Sequence, residues 1–437
     1  MKIAVFTSIK PDKKNLRIHY FEILINTLRQ KIPVKIIWIV LQPDKFSSID
    51  EKHQSIYGIR EFSNGLDLLK KIKPDLVLVS IRKESIQYSA SLAAHYLKIP
   101  LVSFTGAKID FRKTEDLKKN RTIQHLFSNR VPTDSESQTK FLRRGRFFFF
   151  KYLFLIKTKF LVKCNFFMIL KSILDDFLMY ALDRSLPYSP LPDLYLLHHE
   201  SQITRFTEQG LNPEKMIVIG NLLLDRINQK NNIHNNPHLE KTKIRVLIVT
   251  DSLFEHGVWT LKQKDSFLQK LLKTLNNDKS IEFAIKIHPV SENIEYYEKL
   301  LSELNINSHV FQSADLWNIL YDFDIVLSYG YSNAHTEISF SGKKLILIKT
   351  ETSFPTMDLI DEGIKSGHVI ECLNMDNLVS LIHDFDKKDV MLTANFIEEC
   401  NKLFYKNDGK SAERGSEAIL SLLKITDDLE KKYRALE

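Results

Sequence analysis

Three stretches of this chain combine residue types and spacings suited to holding an anionic ligand. The first runs Asp324-Ile-Val-Leu-Ser-Tyr-Gly-Tyr-Ser-Asn-Ala-His-Thr-Glu337 and continues to Ser341-Gly342-Lys343-Lys344. A strand is expected over 324–328, then a small polar turn, then a helix beginning near Ser332 or Asn333. The first turn of a helix has unpaired amide hydrogens and partial positive charge. A turn built from Gly330, Ser332 and Asn333 lets a phosphate approach those amides. Glu337, one turn further in, is placed to accept hydrogen bonds from ribose hydroxyls. The plainer alternative is a helix capped by Ser332 with Glu337 in solvent. The second stretch is Lys286-Ile287-His288-Pro289. A strand delivers His288 to its carboxyl end, and the proline stops further ladder pairing. An imidazole there can hydrogen-bond a departing phosphate, or simply hold a strand end. The third is Thr250 to Trp259, in which Glu255 and His256 precede Gly257. Glu255 and His256 are candidate nucleotide contacts, although Glu255 also fits as a cap for a helix starting near Thr260. For a general base, the first strand-to-helix loop offers Asp12 and His19.

Other chemistries lack their residues. The chain has no G-x-G-x-x-G, no G-x-x-x-x-G-K-[ST], no H-E-x-x-H and no G-x-S-x-G, which argues against dinucleotide oxidoreductases, P-loop nucleotidases, zincins and αβ-hydrolases. His198 and His199 are adjacent rather than one helical turn apart, a poor metal pair. Asp322-Phe323-Asp324 opens a buried strand and reads as structural. Cys164, Cys372 and Cys400 are too scattered for a disulfide framework or a cysteine zinc site, so a reducing compartment is expected. No metal and no cofactor are expected.

The elements that must position these residues alternate. Strands are expected at 2–8, 34–41, 75–80, 100–104, 193–198 and 216–220, with helices at 15–31, 64–72, 84–97 and 200–209 between them. Residues 228–243, NQKNNIHNNPHLEKTK, are polar and Asn-rich and read as a linker. The rhythm resumes at Ile244–Asp251 and runs through strands at 281–287, near 310, 324–328 and 344–349. Strands that are apolar throughout and separated by helices imply parallel sheets covered on both faces. The expected fold class is α/β: two doubly wound Rossmann-like domains facing across a cleft, with an inserted basic-aromatic helical segment. The expected boundaries are an N-terminal domain at 1–227, the linker at 228–243, a C-terminal domain at 244–390 and C-terminal helices at 391–437. A length of 437 residues suits two domains of about 200 each. Such sheets bind ligands outside the carboxyl ends of their strands.

Charge is unevenly placed. The net charge is +8, yet nine basic residues and no Asp or Glu lie between Lys140 and Lys171, so the remainder is near neutral. Phe147 to Phe150 and thirteen further apolar side chains between Tyr152 and Leu170 share that segment, within an insertion at about 118–183. A spanning helix would bury lysines at roughly 2.5–3.5 kcal/mol each near the bilayer centre. Lying in the interface costs far less, because lysines snorkel and aromatics suit the headgroup level. An anionic membrane surface is therefore the expected partner of 140–171, ahead of a buried hairpin. Nucleic acid is not expected, since the apolar density exceeds what a phosphate-tracking surface needs. No run of 18 apolar residues is free of charge, and Met1–Phe6 reads as a strand rather than a signal peptide. The expected location is cytoplasmic and peripherally membrane-associated.

Together these features resemble a known group. Glu200…Arg205-Phe-Thr-Glu-Gln-Gly-Leu-Asn-Pro-Glu-Lys-Met-Ile-Val-Ile-Gly220-Asn221, then Asp225, is similar to the junction of GT-B-fold glycosyltransferases and nucleotide-sugar 2-epimerases. Lys286–Pro289 resembles the His-Pro element of capsule, sialyl- and polyol-phosphate transferases. Ser328–Glu337 with Gly342-Lys343 resembles their Ser-rich turn, ribose-binding Glu and Gly-Lys-Pro. The resemblance covers roughly 190–350 and implies phosphate contacts at Ser332 and Asn333, ribose contact at Glu337 and phosphate contact at His288. The chain departs from the pattern in places. The acidic catalytic region and the His-Thr-Gly element of the epimerases are missing. Lys344 stands where proline is usual, and Tyr329 and Tyr331 replace small residues, which would narrow the turn. The implied activity is a metal-independent glycosyltransferase using a UDP- or CMP-linked donor and an envelope or lipid-linked glycan acceptor. The alternatives are a nucleotide-sugar 2-epimerase and a catalytically silent scaffold.

Overall fold

The computed structural model describes residues 1–7, 16–41, 49–104, 135–171, 174, 188–222, 224–225, 242–255, 258–289, 291–330, 332, 334–350, 358–390, 393–406 and 408–434. Fourteen strands among them form two sheets. The first half contains β1 (Lys2–Thr7), α1 (Leu16–Lys31), β2 (Lys35–Val40), β3 (Ile49–Glu51), β4 (Gln54–Gly58), α2 (Gly65–Ile72), β5 (Leu76–Ser80), α3 (Ser85–Leu97) and β6 (Leu101–Phe104). After these come the long α4 (Ser135–Leu161), β7 (Leu194–Leu197), α5 (Ser201–Glu208) and β8 (Met216–Val218). Its sheet has the order β3-β4-β2-β1-β5-β6-β7-β8, and every pair is parallel except the β3–β4 hairpin. The second half contains β9 (Ile244–Val249), α6 (Leu261–Asn276), β10 (Ile281–Lys286), α7 (Ile294–Glu303), β11 (His309–Phe311), α8 (Leu316–Leu320) and β12 (Ile325–Tyr329). It continues through α9 (Ala334–Phe340), β13 (Lys344–Ile348), α10 (Asp358–Ser366), β14 (Val369–Cys372), α11 (Leu378–Lys387), α12 (Ala394–Phe404) and α13 (Ser411–Arg434).

Alternation along each strand explains the unbroken apolar runs. In β9, Val246 and Ile248 face α6 through Leu268, Leu272 and Leu275, while Leu247 and Val249 face Trp317, Ile338 and Phe396. In β1, Ile3 and Val5 meet Leu24 and Leu28 of α1, and Ala4 and Phe6 meet α2 and α3. Both faces are thus covered, and both must be apolar. The two doubly wound sheets expected from the sequence are present.

The chain returns to its first half at the end. Ala412, Ala418 and Ile419 of α13 pack with Leu24 and Leu28. The Asp225 carboxylate accepts the amides of Ser411 (3.0 Å) and Ala412 (2.7 Å), the free donors at the start of α13. Burial raises the pKa of Asp225, and those amide hydrogen bonds oppose the rise. Gly220 adopts φ +94°, and a Cβ there would meet Ser411 Oγ at 2.7 Å, so both conformation and space demand glycine. The Gly220…Asp225 element is therefore a closure joint. The expected linker lies almost wholly outside the described residues.

Candidate functional site

The second sheet has the order β11-β10-β9-β12-β13-β14. In sequence terms that is 3-2-1-4-5-6, with the order reversing between β9 and β12. Ligands of such sheets sit at this switch point, beyond the carboxyl ends of the strands. The loops after β9, β10 and β12 converge there.

Gly330 follows β12 with φ +78°. A Cβ at this position would lie 2.3 Å from Asp251 Oδ2, so the β12 turn rests directly against the β9 loop. Ser332 Oγ accepts the Ala334 amide at 3.3 Å, and its carbonyl accepts the His335 amide at 3.1 Å. Ser332 therefore opens α9, as its type favours. Asn333, Tyr331 and His256 lie outside the described residues. Tyr329, expected to narrow the turn, instead points into the core. It is buried, stacks on Trp259 at 5.6 Å and meets Phe267 edge-on at 4.7 Å. The strand alternation decides this, because Ser328 takes the opposite face. Ser328 Oγ donates to Val249 O at 3.0 Å and pairs with His335 Nε2 at 2.8 Å. The hydroxyl has one proton, already given to the carbonyl, so His335 donates from Nε2. His335 is fully enclosed, and burial pulls its pKa down to about 4. It is a neutral pin between α9 and the sheet.

His288 ends the β10 run exposed to solvent. Its Nδ1 accepts the Ser291 amide at 3.1 Å, so the neutral ring carries its proton on Nε2 as a donor. Its own amide donates to Glu292 Oε2 at 2.7 Å. Glu292, which sequence reasoning missed, is the hub of this edge. Its carboxylate also accepts the hydroxyls of Thr250 and Tyr297 in short hydrogen bonds, and Lys264 Nζ lies 3.8 Å away. Thr250 ends β9, His288 follows β10, Tyr297 is on α7 and Lys264 on α6, so one buried carboxylate ties four elements together. Ser252 and Ser291 hydroxyls join the same two loops at 2.6 Å. The available signal was an acid four residues beyond the histidine, which an ordinary helix start also shows.

Glu255 lies in the β9 loop with Oε1 held by Lys264 at 2.6 Å. The capping alternative for Glu255 fails, because Thr260 and Gln263 form the capping box of α6. Lys286 is buried, and its Nζ donates to Ile287 O (2.7 Å) and Gln312 O (3.0 Å). Burial lowers its pKa to about 8, against the opposing charges of Glu337, Glu292 and Asp315. Glu337 is half-buried on α9 and electrostatically coupled to Lys286. The structure thus brings Gly330, Ser332, His288, Glu255 and Glu337 to loops and a helix at one sheet edge. Parallel strands lie about 4.8 Å apart, so the ends of β10 and β12 are separated by about 10 Å. Asp12 lies outside the described residues, and His19 is on α1 with its side chain outside them.

The first sheet has its own switch point between β1 and β5. The β7 and β8 loops are structural: His198 Nδ1 pairs with Gly220 O at 2.9 Å, and His199 Nε2 donates to Lys402 O at 2.6 Å.

No family model matches the sequence, and no curated protein does. Solved structures do. MnaA from S. aureus, in a co-structure with UDP, is 13% identical with a TM-score of 0.52, and the match covers 97% of each chain. A UDP-GlcNAc 2-epimerase from Methanocaldococcus jannaschii, in complex with UDP-GlcNAc and UDP, is 14% identical with a TM-score of 0.50, covering 97% of this chain and all of the other. The glycotransferase of kitacinnamycin is 12% identical with a TM-score of 0.50, covering 97% and 99%. The fold is the one these proteins share, that of GT-B glycosyltransferases and 2-epimerases.

Proposed function

We propose that the protein is a GT-B-type glycosyltransferase that moves a sugar from a UDP- or CMP-linked donor to an envelope or lipid-linked glycan acceptor at a membrane surface. The carrying observation is the β9–β12 switch point, where Gly330 folds against Asp251 and His288, its Nδ1 accepting the Ser291 amide, stands two strands away. The donor's phosphates lie against the Ser332 turn. His288 Nε2 donates to the leaving phosphate oxygen as negative charge develops, a preorganised contact of the kind that lowers transition-state energy. Glu337 accepts from the ribose hydroxyls. The acceptor lies on the first lobe, where a base takes the hydroxyl proton, with Asp12 and His19 as the candidates. A UDP-bound relative of the same fold agrees with a uridine donor.

The test uses the full chain with UDP- and CMP-sugars, with and without lipid-linked glycan acceptors. Transfer only in the presence of acceptor is expected. A change at C2 of the donor without acceptor makes the protein an epimerase. Absence of calorimetric binding of any uridine or cytidine nucleotide makes it a scaffold.

A further inference from the structure

Nine of the fifteen exposed large apolar side chains among the described residues fall between Phe149 and Leu174. Their arrangement is regular. On α4, Phe149, Leu153 and Phe160 stand outward together with Lys157, at helical spacings of four, four and three. The opposite side of α4 buries Phe154, Leu155 and Thr158 against the first lobe. An amphipathic surface helix has one apolar face, and α4 has two. Beyond Leu161 the chain turns sharply, with Lys163 in the left-handed conformation at φ 56°. Asn165 Oδ1 then accepts the Phe167 amide at 3.1 Å and starts a new helical turn. Phe166, Phe167 and Met168 project from this tip at 61, 75 and 64% exposure, while Ile169 anchors it at 3%.

The charge carried by residues 140–171 is of one sign. Lys157, Lys163 and Lys171 are exposed between the aromatic residues, and no acid occurs from Lys140 to Lys171. Lys159, by contrast, is buried and turned in over the Tyr88 ring, and Lys151 is half-buried over Phe147. A second copy of the chain would set cations against cations. No helix among the described residues is long and apolar enough to cross a membrane. We infer that this ridge and tip form a docking surface for an anionic lipid bilayer, with Phe160, Leu161, Phe166, Phe167, Met168 and Leu170 at the acyl boundary and the three lysines on headgroup phosphates.

The base of the tip has a defined place on the lobe. Thr158 Oγ1 accepts the amide of Gly65, the first residue of α2, at 2.8 Å. Because α2 follows the parallel strand β4, its start lies at the carboxyl edge of the first sheet. That is the edge at which a doubly wound sheet binds ligands. Docking therefore turns the acceptor side of the lobe toward the bilayer, a consequence that rests on the acceptor reading above.

The experiment is flotation of the full chain with vesicles of phosphatidylcholine, and with vesicles in which a third of the lipid is phosphatidylglycerol. Phe167→Trp serves as an insertion reporter, since Trp38, Trp259 and Trp317 are buried and give a constant background. Flotation with the anionic vesicles, a blue shift of the reporter and quenching by brominated acyl chains are expected. Changing Lys157, Lys163 and Lys171 to Gln lowers association about a hundredfold at low salt. Changing Phe166, Phe167 and Met168 to Ser abolishes flotation with the anionic vesicles while UDP binding by calorimetry stays as in the wild type. No flotation with anionic vesicles, or flotation with an unshifted reporter, overturns the inference. So does a wild-type dimer that the Ser variant dissociates. Loss of UDP binding alone, with flotation intact, sinks the donor reading and leaves the docking surface standing.

Discussion

Removing the Glu292 carboxylate tests whether the β9 and β10 loops are held by one group. Glu292→Ala leaves three donors without their acceptor: the hydroxyls of Thr250 and Tyr297 and the amide of His288. A buried donor left unpaired costs about 1–3 kcal/mol. Lys264 keeps Glu255 as its nearer partner, at 2.6 Å against 3.8 Å, so the cation is not abandoned. Partial relaxation and exposed loops reduce the sum, and a loss of about 4 kcal/mol is expected, within the range for breaking buried charged pairs. In a lobe of this size that lowers the melting temperature by about 10 °C. Glu292→Gln behaves differently. Its carbonyl oxygen can stay at the Oε2 position for the His288 amide and Thr250, while its amide nitrogen faces Tyr297, whose hydroxyl can turn to accept. The Gln variant is expected to lose about 1–2 kcal/mol and to keep the His288 loop in place. Catalysis separates the two further. Freeing the His288 backbone allows displacement on the order of an ångström, which costs about a hundredfold in kcat. Calorimetry of nucleotide binding, thermal melting and transfer kinetics are the assays. Equal destabilisation by Gln and Ala, or an Ala variant that melts low but turns over normally, would falsify the claim that Glu292 positions His288.

Three further perturbations follow from the same geometry. Gly330→Ala forces a side chain into φ +78° and onto the Asp251 carboxylate; the conformation alone costs about 1–2 kcal/mol, nucleotide binding is lost, and an Asp251→Gly background restores part of it. Glu337→Ala lowers nucleotide affinity by about 1.5–3 kcal/mol, the value of charge-assisted hydrogen bonds, and an unchanged dissociation constant removes Glu337 from the site. His335 and His368 are both held neutral by burial, with pKa near 4 against an ordinary 6.5. Between those values the unfolded chain takes up protons that the folded chain refuses. Stability is therefore complete above pH 6.5 and falls with acid by about 1.4 kcal/mol per pH unit for each histidine. Melting followed from neutral to mildly acidic pH shows this slope, and His335→Gln halves it.

What the sequence made legible was the part governed by unbroken apolar runs. The central strands β1, β2, β5, β9, β10, β12 and β13 are covered on both faces, so runs of three to five consecutive residues had to be apolar. Some marginal elements escaped, although the edge strands β8 and β11 were expected. β4 reads QSIYG and pairs at the sheet margin, and β14 buries only its ends. α10 carries Gly363 in its interior, which lowers its helical signal. Yet Gly363 is required there, since a Cβ would sit 2.5 Å from Val369 Cγ2. At the site, His288, Gly330 and Ser332 were legible because a strand end followed by proline, glycine or serine has few uses. Glu292 and Lys264 were not, because their meaning lies in contacts across 42 residues of sequence to Thr250 and between α6 and the β10 loop.

The motifs behind the resemblance divide, in this structure, into two kinds of work. Gly220 and Asp225 close the fold, seating the start of α13 on the first lobe. Ser328 and His335 lock α9 to β9 and β12. These contacts build the fold and do not by themselves distinguish transfer from epimerisation. His288 is of the other kind: its Nδ1 accepts the Ser291 amide and its own amide donates to Glu292, so the ring is held at the end of the β10 run. On the function proposed above, a histidine held in this way would serve departure of a phosphate in either reaction. The choice between them therefore falls to the group that receives the sugar. The feature of this chain that bears on a receiver is the basic, aromatic tip beside Gly65, at the carboxyl edge of the first sheet, where the function proposed above seats the acceptor. An epimerase returns its nucleotide sugar to solution and gains nothing from a lipid-facing ridge. A transferase whose acceptor is lipid-linked gains the acceptor's local concentration. That asymmetry is why transfer is the stronger reading.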